Sequence, residues 1–259
     1  MNKLLNSKDI EDFNYKQFEN EIPSYGLEKN SSQEEYFQKL VRIKLECLRK
    51  YAVGKKVLDV GCGKGDYLFE LKDIITSGCG IDFTDKAIEA ANAKKELLTS
   101  LNLEFVKANA KELPFEAKTF DLVFSFSALV AIPKVEKVIL EIERVLRTQG
   151  IAILEMGNSQ SLNTIVSRAH IETTIPCHIR VSEMKKILSQ TGFTILDWES
   201  FQILPFWGMN PQWLRPLLNR RWKALFQKEI KGKMLDEWVS NNFLFKPFAY
   251  RHLIICRKG

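Results

Sequence analysis

The chain has 259 residues and a mass of 29.9 kDa, with 45% hydrophobic and 27% charged residues, the make-up of a soluble globular protein with length for one large domain or a domain with a sub-domain. The opening MNKLLNSKDIEDFNYKQFEN lacks the apolar core of a signal peptide, and the longest apolar run, around FSFSALVAI, falls short of the roughly 20 residues that span a bilayer. Five scattered cysteines (Cys47, Cys62, Cys79, Cys177 and Cys256) form no CxxC pair, which argues against a zinc site and a disulfide framework and predicts a reducing, cytoplasmic setting with no metal.

The first 52 residues read as a polar, mostly helical segment. In SSQEEYFQKLVRIKLECLRKY, Tyr36, Leu40, Ile43 and Cys47 recur at helical spacing, with Ser32 and Glu35 placed as a capping box. The period then changes. KKVLDVG is a short apolar run of the kind that forms a buried parallel strand. GDYLFELKDIITS returns to helical spacing, and CGIDF is a second strand. TDKAIEAANAKKELLTS is a helix with Thr84 as its N-cap. LEFVKA and FDLVFSFS are the third and fourth strands. PKVEKVILEIERVLRTQG carries helix start and stop signals at Pro133 and Gly150, and IAILEM is the fifth strand. Strands alternating with helices predict a doubly wound α/β sheet.

Beyond Met156 the alternation loosens. VSEMKKILSQTGF reads as a helix, FTILDWESF as a strand and AYRHLIICRK as the terminal strand. Between the last two, residues 202–248 hold Phe206, Trp207, Trp213, Trp222, Phe226, Trp238, Phe243, Phe245 and Phe248, with proline and helical patches and no strand alternation. The formal net charge of +6 is concentrated late in the chain, where eleven basic residues after Phe201 face only Glu229, Asp236 and Glu237. Such a tail suits a solvated helical face, an anionic substrate, a nucleic acid or a membrane surface.

The stretch VLDVGCGKGDYLFELK joins a strand to a helix through Gly61, Gly63 and Gly65. Glycines at such a turn let a ligand approach the backbone. The G-x-G-x-G spacing differs from the dinucleotide G-x-G-x-x-G, and Asp59 sets a carboxylate where a pyrophosphate would be repelled and an ammonium or sulfonium would be attracted. Asp82 closes the second strand about 20 residues on, where an acidic side chain hydrogen-bonds a ribose diol. In ANAKELPF, Asn109 offers a side-chain acceptor and Ala110 a backbone donor. Ser125 and Phe126 end the fourth strand, beside the switch point where ligands of open α/β sheets bind.

In this order, these pieces resemble the class I S-adenosylmethionine-dependent methyltransferases, and more closely the small-molecule methyltransferases that read VLDVGCGxG, then an acidic residue, then A-D-A-xx-LPF and FDLV. The resemblance is strong over about residues 55–156 and weak on the flanks. It implies a Rossmann-like, mostly parallel seven-stranded sheet built from residues 53–201 and 249–259, capped by residues 1–52 and carrying residues 202–248 as a lid or substrate-binding insertion. It implies S-adenosylmethionine as cofactor, S-adenosylhomocysteine as product, and methyl transfer to a small-molecule acceptor: a natural-product intermediate, a quinone-like ring or a glycan precursor. By analogy, Asp59 with Gly61, Cys62 and Gly63 faces the methionine end, Asp82 the ribose, Phe83 the adenine plane, and Asn109 with Ala110 the adenine edge. The Ser125 backbone helps hold the amino-acid moiety.

The chain departs from the family in two places: Asn109 stands where Asp is usual, and ALVAIP replaces a histidine pair common after the fourth strand. No catalytic residue is assigned. His170 and His178, in SRAHIETTIPCHIR after the fifth strand, are candidate bases or substrate contacts, and Trp207 is a candidate acceptor contact. SFSA stands where amino-methylating nucleic-acid enzymes carry an N/D-P-P-Y/F loop, which disfavours a nucleic-acid substrate. The alternatives are a non-catalytic cofactor-binding or scaffold subunit, an RNA methyltransferase drawn to the basic tail, and a nicotinamide-dependent dehydrogenase. The same basic tail is compatible with a peripheral membrane contact.

Overall fold

The apolar runs of the sequence lie side by side in a computed structural model of the chain, described over residues 6–20, 35–169, 174–205, 211–217 and 220–259. Strands β1 (Lys56–Val60), β2 (Ser77–Asp82), β3 (Leu103–Lys107), β4 (Phe120–Ser125) and β5 (Leu146–Gly157) pair in parallel. Next in the chain comes β6 (Phe193–Phe201), then a separate hairpin of β7 (Glu229–Ile230) and β8 (Lys233–Met234), and finally β9 (Arg251–Lys258). The main sheet has seven strands in the order β3-β2-β1-β4-β5-β9-β6. Only β9 is reversed: it pairs antiparallel with β5 on one side and with β6 on the other.

Helices cover both faces. Along β1, successive side chains point to opposite sides. Val57 joins α2 (Glu35–Ala52) and α3 (Asp66–Leu71) through Leu48, Leu68 and Leu71, while Leu58 and Val60 join α5 (Val135–Val145) and α7 (Val181–Gln190) through Val138, Ile142 and Leu188. The apolar stripe of α5, Val135, Val138, Ile139, Ile142 and Val145, is buried as its spacing predicts. The doubly wound sheet expected from the sequence is present. Among the described residues no helix is long and apolar enough to cross a membrane.

Three local expectations are corrected. The helix expected over Pro133–Gly150 spans only Val135–Val145, and Leu146 already pairs with Phe120 as the first residue of β5. Its end is tied down from afar, because Lys258 Nζ donates to the carbonyls of Glu143 at 2.7 Å and Leu146 at 3.0 Å, satisfying groups the helix leaves open. Thr84 does occupy the N-cap of α4 (Asp85–Leu97), but it makes no side-chain cap hydrogen bond; its hydroxyl donates to Asp82 Oδ1 at 2.9 Å. The segment expected to lack strands contains the β7–β8 hairpin. Ser32 lies outside the described residues.

Because β6 is antiparallel to β9, and β9 to β5, β6 runs parallel to β5. The segment 202–248 therefore leaves and rejoins the sheet at the end where β1 to β5 finish. It contains α8 (Arg220–Phe226) and α9 (Leu235–Ser240). Its anchor is Asp236, fully buried, whose carboxylate accepts the Tyr36 hydroxyl of α2 at 2.6 Å and the Gln202 and Ile203 amides at 2.6 and 3.1 Å. Asn241 adds a reciprocal pair with Ser200 of β6 at 2.9 and 3.0 Å. Those bonds seat α9 against α2 and the outer strand.

Candidate active site

At the carboxyl end of β1 the chain turns through Gly61, Cys62, Gly63, Lys64 and Gly65, with left-handed φ of 79°, 51° and 75° at the three glycines. The amides of Gly61 and Cys62 both donate to Ile81 O at 2.8 Å, which locks the turn to β2. A Cβ on Gly61 would lie 2.3 Å from the Cβ of Ala128, and one on Gly65 would lie 2.4 Å from the Phe105 ring. A Cβ on Gly63 would meet nothing within 4 Å. Gly63 thus borders open space, and a ligand can approach its backbone directly.

Two carboxylates flank this turn. Asp82 is engaged on both oxygens: Oδ2 accepts the Gly63 amide at 3.1 Å, and Oδ1 accepts the Thr84 amide at 3.1 Å and the Thr84 hydroxyl at 2.9 Å. Asp59 is 2% exposed, and its Oδ2 has no hydrogen-bond partner among the described residues. Burial raises the Asp59 carboxyl well above its usual range, and the neighbouring Asp82 and Asp66 charges add to the rise. An unpartnered buried carboxylate oxygen is costly, and a cationic ligand group relieves both the burial and the like-charge repulsion.

The turn opens into a cleft lined by Asp59, Gly61, Cys62, Gly63, Asp82, Phe83, Asn109 and Ala110. Every cofactor residue expected from the sequence lies on this lining except Ser125. That serine is fully buried and donates its hydroxyl to Val60 O at 2.8 Å, tying the tips of β4 and β1 together. Phe126, Ser127 and Ala128 form the wall instead. Asn109 Oδ1 accepts the Lys111 amide at 2.9 Å, so one of its two lone pairs is already used locally.

The sequence left part of the cleft unread. Helix α1 (Ser7–Asn20) contributes Glu11, Asn14 and Phe18 to the lining. It is pinned there by Asn14, 1% exposed, which donates to Ala131 O at 2.8 Å and Ile175 O at 3.1 Å and accepts the Ile175 amide at 2.8 Å. Lys111 pairs with Glu11. The rings of Tyr15 and Phe18 stand edge-on to Phe83 at 5.5 and 6.1 Å. The wall is completed by Ala131, Ile132 and Pro133. No local pattern marks Asn14, because its partners lie more than 100 residues away.

Behind Ser127 sits Glu155, 1% exposed, which takes Lys44 Nζ at 2.8 Å and Arg251 Nη1 at 2.7 Å. Burial alone would push the Glu155 carboxyl up, but the Lys44 and Arg251 charges outweigh it and hold it at about 2. His178 does not line the cleft. Thr164 Oγ1 gives its proton to Asn158 O at 2.6 Å, so the His178 Nδ1 proton fills the 2.7 Å contact to Thr164, and Nε2 accepts from the Tyr250 hydroxyl at 3.2 Å. Both ring nitrogens are spent, and burial lowers the imidazole to about 4. The reading of His178 as a base is replaced by a packing role. His170 and Trp207 lie outside the described residues, as does Phe206. None of the described residues of 202–248 lines the cleft. No group of three or more metal-ligating side chains occurs among the described residues.

A family model described as a methyltransferase domain matches residues 52–218. The chain belongs to that family. Among sequence relatives, the methyltransferase is 39% identical over 100 residues to the demethylmenaquinone methyltransferase of Lactococcus lactis, a match covering 38% of this chain and 40% of that one. It is 31% identical over 157 residues to the sterol 24-C-methyltransferase of Schizosaccharomyces pombe, covering 56% and 41%. These matches span about two fifths of the relatives' own lengths. In fold, the methyltransferase resembles the geranyl diphosphate C-methyltransferase of Streptomyces coelicolor, solved with S-adenosyl-L-homocysteine, at a TM-score of 0.66 and 14% identity, over 96% of this chain and 98% of that one.

Proposed function

We propose that this methyltransferase binds S-adenosylmethionine along the glycine turn and transfers its methyl group to a small-molecule acceptor. The observation that carries the reading is the buried Asp59 oxygen left without a partner beside Gly63, where the backbone borders open space. The donor set fits the cofactor: a carboxylate for the cationic methionine end, a second carboxylate at Asp82 for the ribose hydroxyls, and the half-buried Phe83 ring for the adenine plane. Asn109 keeps one acceptor lone pair for the adenine edge, and the Ala110 amide offers a donor.

When bound, S-adenosylmethionine supplies a methyl group already activated for in-line displacement. The tasks left to the protein are alignment and exclusion of water, and positioning of this kind is worth roughly 7–11 kcal/mol in favourable cases. Asp59 and the glycine turn fix the methionine end, while α1 closes over the adenine side through Phe18 and Asn14. The apolar wall of Phe126, Ala128, Ile132 and Pro133 suits an acceptor with an apolar ring or hydrocarbon body. The quinone and sterol named for the two relatives are acceptors of that class. The remaining carboxylates of the cleft, Glu11 and Asp66, are held by Lys111 and Lys94, and a general base is needed only where the acceptor's nucleophile must lose its proton early.

Calorimetric titration with S-adenosylmethionine, S-adenosylhomocysteine and NAD tests the reading. Micromolar binding of both sulfur ligands and none of NAD is expected, with the Asp59→Asn variant weakened about 10- to 100-fold. Absence of both sulfur ligands from the parent protein would overturn it. Once binding is established, radiolabelled methyl transfer to quinone-like and isoprenoid acceptors distinguishes an enzyme from a cofactor-binding scaffold.

A further inference from the structure

Among the aromatics of residues 211–248, Phe226 packs against the core, but most of the others stand exposed. Phe243 is 80% exposed, Leu244 59%, Phe245 47%, Phe248 53% and Trp238 48%. They sit on an ordered knuckle: the Phe245 amide donates to Asn242 O at 3.0 Å, and the Phe248 amide to Phe245 O at 2.8 Å. The Trp238 indole N–H donates to Ile230 O at 3.0 Å, which ties the knuckle to the β7–β8 hairpin. That hairpin presents Ile230, 47% exposed, together with Lys231 at its tip in the left-handed conformation at a φ of 53°. Lone exposed apolar residues need no explanation, but a rigid group of them does.

Charge identifies what covers it. Residues 211–248 contain eight basic and three acidic residues. All three acids are already committed: Asp236 is buried under Tyr36, Glu237 is buried and accepts the Met234 amide at 2.7 Å, and Glu229 pairs with Lys39 at 3.1 Å. Among the bases, Lys223 is buried, Lys233 pairs with Glu199 at 3.5 Å and Lys246 donates to Trp198 O, which leaves Lys228 and Lys231, exposed on or beside the hairpin, as the cations nearest the exposed rings. Protein interfaces are depleted in lysine, and a nucleic acid gains nothing from exposed Leu225, Leu244 and Ile230, which offer no ring for a base to stack on. Aromatic and aliphatic side chains interleaved with lysines match the boundary layer of an anionic bilayer, where rings lie at the headgroup level and lysines meet the lipid charge.

We infer that the 211–248 knuckle is a membrane-surface docking site, specific for anionic lipid headgroups, that seats the protein reversibly on a bilayer. The segment leaves and rejoins the sheet at the end where the cleft opens, and its knuckle packs along the outer strand through Lys246 to Trp198 O and Asn241 to Ser200 O. The inference stands apart from the methyl-transfer reading, since it uses none of the cleft residues.

The test is co-sedimentation of the full chain with phosphatidylcholine vesicles, with and without about 30 mol% phosphatidylglycerol. Anionic vesicles are expected to bind at least about tenfold more tightly, and raised salt to reduce that preference. F243S/F248S should lower binding to anionic vesicles about tenfold or more, with an unchanged melting temperature because both side chains are exposed. K228E/K231E should abolish the preference for anionic over neutral vesicles. Failure of the parent to bind anionic vesicles, or binding by both double variants equal to the parent's, would overturn the inference. So would a vesicle-free dimer in analytical ultracentrifugation that F243S/F248S dissociates, since a second copy would then own the surface.

Discussion

Glu155 holds Ser127 in the cleft wall: its Oε2 accepts the Ser127 amide at 2.8 Å and the Ser127 hydroxyl at 3.1 Å. Ser127 has a φ of 60°, a left-handed conformation that a residue with a side chain adopts only when its surroundings impose it. The same carboxylate binds Lys44 of α2 and Arg251 of β9, so one buried group joins the N-terminal segment, the tip of β4 and the reversed strand. Truncating it strands two cations. Glu155→Ala should destabilise the fold by about 3–5 kcal/mol in urea denaturation, and Glu155→Gln by less, with S-adenosylhomocysteine affinity falling in both as Ser127 relaxes.

Stability should fall with acid in two stages. Burial lowers His178 and His252 to about 4 each, below the unfolded value near 6.5. The unfolded chain therefore takes up protons first, and stability drops as pH falls from about 6.5 towards 4. Glu155, held at about 2, contributes stability above its unfolded value near 4.3, and that contribution is lost as pH falls from there towards 2. Denaturation free energy measured from pH 7 to 3 should show both limbs. His178→Asn should remove roughly half of the slope in the upper one.

Asp59 has the opposite sign. Its raised carboxyl makes the ionised form unfavourable in the ligand-free fold, so its contribution is lost as pH rises through the folded value. Asp59→Asn should therefore raise the melting temperature of the free protein at neutral pH while weakening cofactor binding. Binding of a cationic ligand should release a proton from Asp59, read as a titration enthalpy that varies with the ionisation enthalpy of the buffer. No variation among buffers would show that Asp59 is ionised beforehand.

The three glycines of the turn should not behave alike. Gly61→Ala combines a left-handed φ with a 2.3 Å approach to Ala128 and should lose about 2–4 kcal/mol of stability. Adding Ala128→Gly should recover the steric part and leave the backbone strain. Gly63→Ala meets no protein atom and should fold with a loss of about 1–2 kcal/mol, while its added methyl fills the ligand's space and sharply weakens S-adenosylhomocysteine binding. Melting curves run beside titrations separate these outcomes.

The sheet was readable because its signals are local. KVLDV, CGID and FDLVFS are apolar runs bounded by glycine and polar residues, and Gly61 to Gly65 with Asp59 and Asp82 form a pattern within 25 residues. What escaped depends on distant partners. The early end of α5 owes its satisfied carbonyls to Lys258, more than 100 residues away. Asn14 lines the cleft because loops around Ala131 and Ile175 receive its amide. Ser125 and Ser127 differ in role through a single left-handed residue that the letters SFSAL do not announce. His178 resembled a base only because its position was visible and its partners, Thr164 and Tyr250, were not.

Phe201 and Arg251 are register partners across β6 and β9, so neighbouring strands place the two ends of the 49-residue excursion between them within about 5–6 Å of each other. For the sheet, that excursion is the loop of an oversized hairpin, and the pairing of β6 with β9 sets no limit on its length or content. Lineages of this fold can exchange, lengthen or trim the module at that point without altering one hydrogen bond of the ladder. Which surface the protein meets can then evolve independently of which nucleoside it holds.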